Sequence, residues 1–167
     1  MNRRFVFILI MIVPAFVSAF LNEPDGFRAA RWWSKVPSGW ARTTAPLDQE
    51  TDVTSVTFWR NPQDEMRIGD ARVNEIIYLA WEGQICAVHI SFDYGSNEAI
   101  KKAFLQEYGT PQVEYGGRKI ILLWKGPKTC IDLQYVPSHP GTLYFEATDL
   151  NEKRSEKARS TAKTPGS

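Results

Sequence analysis

The sequence predicts an α+β domain, an antiparallel β-sheet of about five to seven strands with one main α-helix packed on one face. Three observations predict it. Two β-rich apolar runs flank the dipeptide Glu82-Gly83, and a second set of such runs is joined through Lys125–Lys128 and Pro137–Gly141. Between the two sets lies a single amphipathic stretch that stops at Gly109 and Pro111.

The first hairpin spans Glu75–Trp81 and Gln84–Phe92, and a two-residue loop with glycine second is a tight-turn signal. Its simplest register pairs Trp81 with Gln84, Leu79 with Cys86 and Ile77 with Val88, so Ile90 and Phe92 extend the same buried face. The reverse face, with Ile76, Tyr78, Ala80, Ile85, Ala87, His89 and Ser91, is milder but too apolar to leave bare.

The helix follows. Ser96 is placed to cap it, Glu98 sits in its first turn and can meet Lys102, and Ile100, Ala103, Phe104 and Tyr108 fall on one side. Gly109 supplies a left-handed end and Pro111 prevents continuation.

The second set runs Lys119–Trp124, then Thr129–Val136, then a strand carrying Leu143, Phe145 and Ala147. Pairing Trp124 with Thr129 sets Leu122 opposite Ile131 and Ile120 opposite Leu133; Leu143, Phe145 and Ala147 then face Tyr135, Leu133 and Ile131. Val53–Trp59 reads as an additional strand and Phe27–Trp33 as a further candidate.

Chain organisation is tripartite. Arg3 and Arg4 precede an apolar run from Phe5, Pro14 interrupts it, and Val17-Ser18-Ala19 matches the small-residue pattern of signal cleavage, so residues 1–19 read as a cleaved signal peptide. The run is too short to span a bilayer, which predicts a periplasmic or secreted protein with no stable membrane span after cleavage. Residues 20–149 form the single domain, and residues 150–167 read as a basic tail, a frayed helical turn followed by disorder. The tail carries a net +3 and the domain −4. With a formal charge of +1 over 167 residues, the chain lacks the basic excess of a dedicated nucleic-acid binder.

Gly26-Phe27-Arg28 with Trp32 close behind, the Glu82-Gly83 hairpin, Tyr108-Gly109-Thr110-Pro111 at the helix end and the strand ending in Trp124 together resemble a group of small exported bacterial proteins of unknown function. The likeness covers Gly26 to Thr148. Members more often place glycine after the tryptophan, where this chain has Trp33. The resemblance implies a bacterial envelope setting and supplies no catalytic residues.

Chemistry is sparse. Cys86 and Cys130 fall on opposite faces by strand parity, which argues against a disulfide, and the same parity separates Cys86 from His89. His89 reads as a sheet histidine and His139 as a turn residue; neither has metal-ligand spacing, and no cofactor motif, nucleophile elbow or phosphate loop appears. Two constellations are candidates. Asp132, directly across from Glu146 beside Gln134, Tyr144 and Lys128, makes a carboxylate pair able to share a proton, hold a cation or act as an acid/base couple, or simply a solvated pair. Trp32, Trp33 and Trp40, among Arg31 and other cations, make either a stacking surface for a sugar, peptide or protein, or a plug for the sheet. The function these suggest is a non-enzymatic binding module of the bacterial cell envelope, with an envelope protein, peptide or glycan as partner. A hydrolase using Asp132 and Glu146, or a structural homodimer paired through a strand edge, are the alternatives.

Overall fold

The computed structural model describes residues 20–46 and 55–162. The signal segment, Val53 and Thr54 of the additional strand, and residues 163–167 of the tail lie outside them. The chain is α+β, as its patterning predicts. A small hairpin, β1 (Gly26–Phe27) and β2 (Ala30–Arg31), precedes β3 (Ala41–Thr43) and β4 (Val56–Arg60). A second small hairpin, β5 (Arg67–Ile68) and β6 (Ala71–Arg72), leads into β7 (Glu75–Trp81) and β8 (Gln84–Phe92). Helix α1 (Asn97–Tyr108) follows, then β9 (Gln112–Gly116), β10 (Lys119–Lys125), β11 (Thr129–Tyr135), β12 (Gly141–Ala147) and helix α2 (Leu150–Ala162). The main sheet has eight antiparallel strands in the order β3-β4-β7-β8-β12-β11-β10-β9, more than the five to seven expected.

The β7–β8 turn forms as anticipated, with both Glu82 and Gly83 at positive φ (53° and 78°), the conformation a two-residue hairpin loop requires. Trp81 pairs with Gln84, but the register then shifts: Ala80 faces Ile85 while Leu79 faces Ala87, leaving Cys86 as an extra residue in β8. This bulge corrects the expected Leu79–Cys86 and Ile77–Val88 pairs, because one inserted residue reverses the facing of everything beyond it. Val88, Ile90 and Phe92 therefore share a core with Ile76 and Tyr78, while Ile77, Leu79, Trp81 and Cys86 lie on the other side.

In the second set the expected pairs are also displaced, by two residues in each case. Trp124 faces Ile131 and Leu122 faces Leu133; Leu143 faces Leu133 and Phe145 faces Ile131. At the first turn Glu23 Oε1 accepts the amide hydrogens of Lys128 (2.6 Å) and Thr129 (2.8 Å), and the Thr129 carbonyl accepts from the Gly126 amide (3.0 Å), so Thr129 does not pair with Trp124. At the second turn Gly141 enters the sheet opposite Tyr135, beneath Phe92; a Cβ there would stand 2.5 Å from the Phe92 ring. A shift of two preserves facing. Leu122, Ile131, Leu133, Leu143 and Phe145 thus remain on the side covered by Ile100 and Phe104 of α1.

Helix α1 ends on Gly109 (φ 79°), whose amide donates to the Leu105 carbonyl at 3.1 Å. Its start differs from expectation. The Ser96 hydroxyl donates to the Arg72 carbonyl (2.9 Å) instead of capping the helix, and Glu98 pairs with Lys101 (3.5 Å), not Lys102. Phe27–Trp33 is no continuous strand: it folds back as β1–β2, with Trp33 at φ 63°.

The described part of the tail is also more ordered than a frayed turn. Helix α2 runs 13 residues and packs its buried Leu150 against Phe58, Ile77, Leu79 and Trp81 on the reverse face. The long cationic stems supply apolar cover that a count of hydrophobic residues overlooks: the Lys153 ammonium lies 4.4 Å from the centre of the Trp33 ring, and Lys157 pairs with Glu82 beside Trp81.

Candidate functional site

Three clefts collect the polar and aromatic side chains of interest. The reverse face of β10–β12 holds one of about 400 Å³ lined by Leu123, Lys125, Cys130, Asp132, Gln134, Tyr144 and Glu146. Asp132 and Glu146 do meet here, but not as a directly opposed pair. Asp132 faces Tyr144 and Glu146 faces Cys130, so the acids stand on a diagonal, with Cβ atoms about 7 Å apart by sheet geometry. Gln134 donates to Asp132 Oδ2 at 2.6 Å. Neither acid points freely into water: both are half-buried, and burial raises both carboxyl pKa values, opposed at Asp132 by the Gln134 hydrogen bond and at Glu146 by the charge of Arg154 on α2. Lys128 lies away from this cleft, beside Trp32 and Trp33.

The two cysteines lie on one face of the sheet, not on opposite faces. The bulge turns Cys86 onto the same face as Cys130, so parity does not separate them, nor Cys86 from His89. Both thiols are free, with β12 and its Glu146 lying between their strands. Two strand spacings amount to roughly 10 Å, beyond the reach of a disulfide. Burial pushes both thiols up to about 11. His89 is buried against the Tyr144 ring, with centroids 5.6 Å apart, and His139 sits on the exposed turn with Nδ1 at 3.1 Å from the Pro137 carbonyl.

Trp32 and Trp33 pack against opposite faces yet share one cleft, and Trp40 lines another, so the three do not form one surface. Trp32 joins the α1-side core and donates its indole hydrogen to Thr129 Oγ1 (2.7 Å), while Trp33 packs edge-on to Trp81 and donates to Asp149 Oδ1 (3.0 Å). Exposed Arg31 lies beside both in a cleft of about 360 Å³. Trp40 goes elsewhere: its ring lies 4.3 Å from that of Tyr78.

That position belongs to a further cleft, of about 560 Å³, which sequence reasoning missed. It lies between the β1–β2 hairpin and residues 61–69. Arg28, at φ 54°, is the clamp: its guanidinium donates to Asp64 Oδ1 (2.9 Å) and to the carbonyls of Glu65 and Arg67 (2.7 Å each). Gly26 is required for this hairpin, since a Cβ there would collide with the Ala30 carbonyl at 2.0 Å. The Asp64 side chain is only 6% exposed. The Tyr78 hydroxyl lies beside the same carboxylate, and burial together with that charge raises the phenol far above its ordinary pKa. Arg28 and Asp64 are 36 residues apart and follow no motif spacing. The one available signal was the conjunction Gly26-Phe27-Arg28.

Among the described residues no group of three or more His, Cys, Asp or Glu side chains is placed to hold a metal ion, and no helix is long and apolar enough to cross a membrane. Comparison with protein-family models, curated proteins and solved structures found no match to the chain.

Proposed function

We propose that the chain is a non-enzymatic binding module of the bacterial cell envelope, taking its ligand in the cleft between the β1–β2 hairpin and residues 61–69. The observation that carries this is the state of Asp64: its carboxylate is enclosed and already salt-bridged to Arg28, which suits it to shaping a pocket and not to moving protons. Beside it stand the half-buried Trp40 and the exposed Gln63, one an apolar plane and the other a flexible amide. The envelope setting rests on the basic-then-apolar opening of the chain and its small-residue site at Ala19.

A hydrolase built on Asp132 and Glu146 is the second reading, favoured by their shared cleft and raised carboxyl pKa values, a property of general acids. It ranks below because the acids stand diagonally and Asp132 is held by an amide. The two readings separate in one screen of envelope glycans and peptides against the wild type and Asp132→Asn/Glu146→Gln. Saturable capture of a component without turnover is the expected result. Turnover by the wild type that vanishes in the double variant would overturn the binding assignment.

A further inference from the structure

The charges lining the cleft between the β1–β2 hairpin and residues 61–69 cancel: Arg28 and Arg67 stand against Asp64 and Glu65. Both cations are engaged with the protein itself. Arg28 holds Asp64 and two backbone carbonyls, and Arg67 donates to the Asp70 carbonyl at 3.3 Å and lies 3.9 Å from the Glu65 carboxylate. An ionic ligand would find no surplus of opposite charge here. What faces the cleft instead is an aromatic surface at Trp40 and the exposed amide of Gln63, while the Asp64 carboxylate is enclosed between Arg28 and the Tyr78 hydroxyl.

A pyranose ring offers the complementary groups. Its hydroxyls donate and accept at once, as a side-chain amide does, and its C–H face packs on an indole plane. An extended peptide would be gripped through a backbone ladder on a free strand edge. The walls here come from two small hairpins and the sheet interior, and no residue of β3 or β9, the two margins of the main sheet, lines the cleft.

We infer that this cleft binds a neutral saccharide, with Trp40 as the stacking surface and Gln63 as the hydroxyl-reading amide. The inference rests on the binding-module assignment and names its ligand class. It is tested by titrating the purified protein with the N-acetylglucosamine trimer, maltotriose and cellotriose, read by tryptophan fluorescence and by amide and indole NMR shifts. At least one should bind saturably, with the Trp40 indole and Gln63 side-chain signals among those that move most. Gln63→Ala should weaken that binding about fivefold without changing the melting temperature, and Trp40→Phe by a similar factor. Absence of any shift at roughly 10 mM sugar, or binding that survives both substitutions unchanged, would overturn the saccharide. If the sugars fail but the immobilised protein retains an envelope protein or peptide that Gln63→Ala releases, the ligand class is wrong and the binding module stands; if nothing is retained, both fall.

Discussion

The two faces of the main sheet bury apolar surface by different means. On the α1 side, alternate residues of β7, β8 and β10–β12 meet Ile100 and Phe104, and Phe145 at the centre touches both Phe27 (5.0 Å between ring centres) and Phe104 (5.7 Å). On the α2 side the apolar cover is confined to Leu150, Trp33 and their neighbours, and from β12 outward it gives way to Tyr144, Glu146, Asp132 and Cys130. One helix is held by area, the other by one leucine and a few cation grips on tryptophan. Burial by area is insensitive to salt, whereas ion pairs and cation contacts at the surface are screened. The sealed face sets stability, and the half-open face carries groups whose charge state still responds to solution.

The comparison is sharpest at its centre. Phe145→Ala should cost about 3–5 kcal/mol, seen as a lower urea midpoint, because its side chain is 1% exposed and surrounded by other rings. Leu150→Ala should cost less, about 2 kcal/mol, and should speed amide exchange across Leu150–Ala162 while leaving Asn97–Tyr108 unchanged. Equal losses of protection in both helices would dissolve the distinction between the faces.

A smaller effect separates the acids from the core. Raised native pKa values mean that folded Asp132 and Glu146 hold protons more tightly than the unfolded chain does. Their contribution to stability therefore declines as pH rises from the ordinary carboxylate values of 3.8 and 4.5 through the native ones. Asp132→Asn/Glu146→Gln should raise the melting temperature at neutral pH by about 1–3 °C, modest because both groups keep some solvent, and the gain should vanish by about pH 3. A variant less stable than the wild type at neutral pH would contradict this. Smallest is the thiol difference. With both thiols pushed up to about 11, native alkylation should be slow and confined to half-exposed Cys130, and mass spectrometry should find Cys86 modified only after unfolding.

Much of the fold could be read from the residues because side chains alternate with period two. The β10–β12 registers are displaced by two residues from the simplest pairing, yet every side chain keeps its face, so alternation alone places Leu122, Leu133 and Phe145 in the core. At β7–β8 a single extra residue at Cys86 was enough to send Ile77 and Leu79 to the other side and to invalidate the parity argument about the thiols. Local patterning carries no mark of such a bulge. The site was less legible still. Asp132 and Glu146 emerged as one cleft because they lie on neighbouring strands, whereas Arg28, Trp40, Asp64 and Tyr78 come from four segments that only the tertiary fold brings together.

The most direct test sets the two clefts against each other in one capture experiment from bacterial envelope extract, using wild type, Trp40→Phe/Gln63→Ala and Asp132→Asn/Glu146→Gln, each first shown to be folded. A bound component that is lost with Trp40 and Gln63 and retained with the acid pair altered is the predicted result. Loss with the acids and retention without Trp40 and Gln63 would place the function on the half-open face and contradict the account.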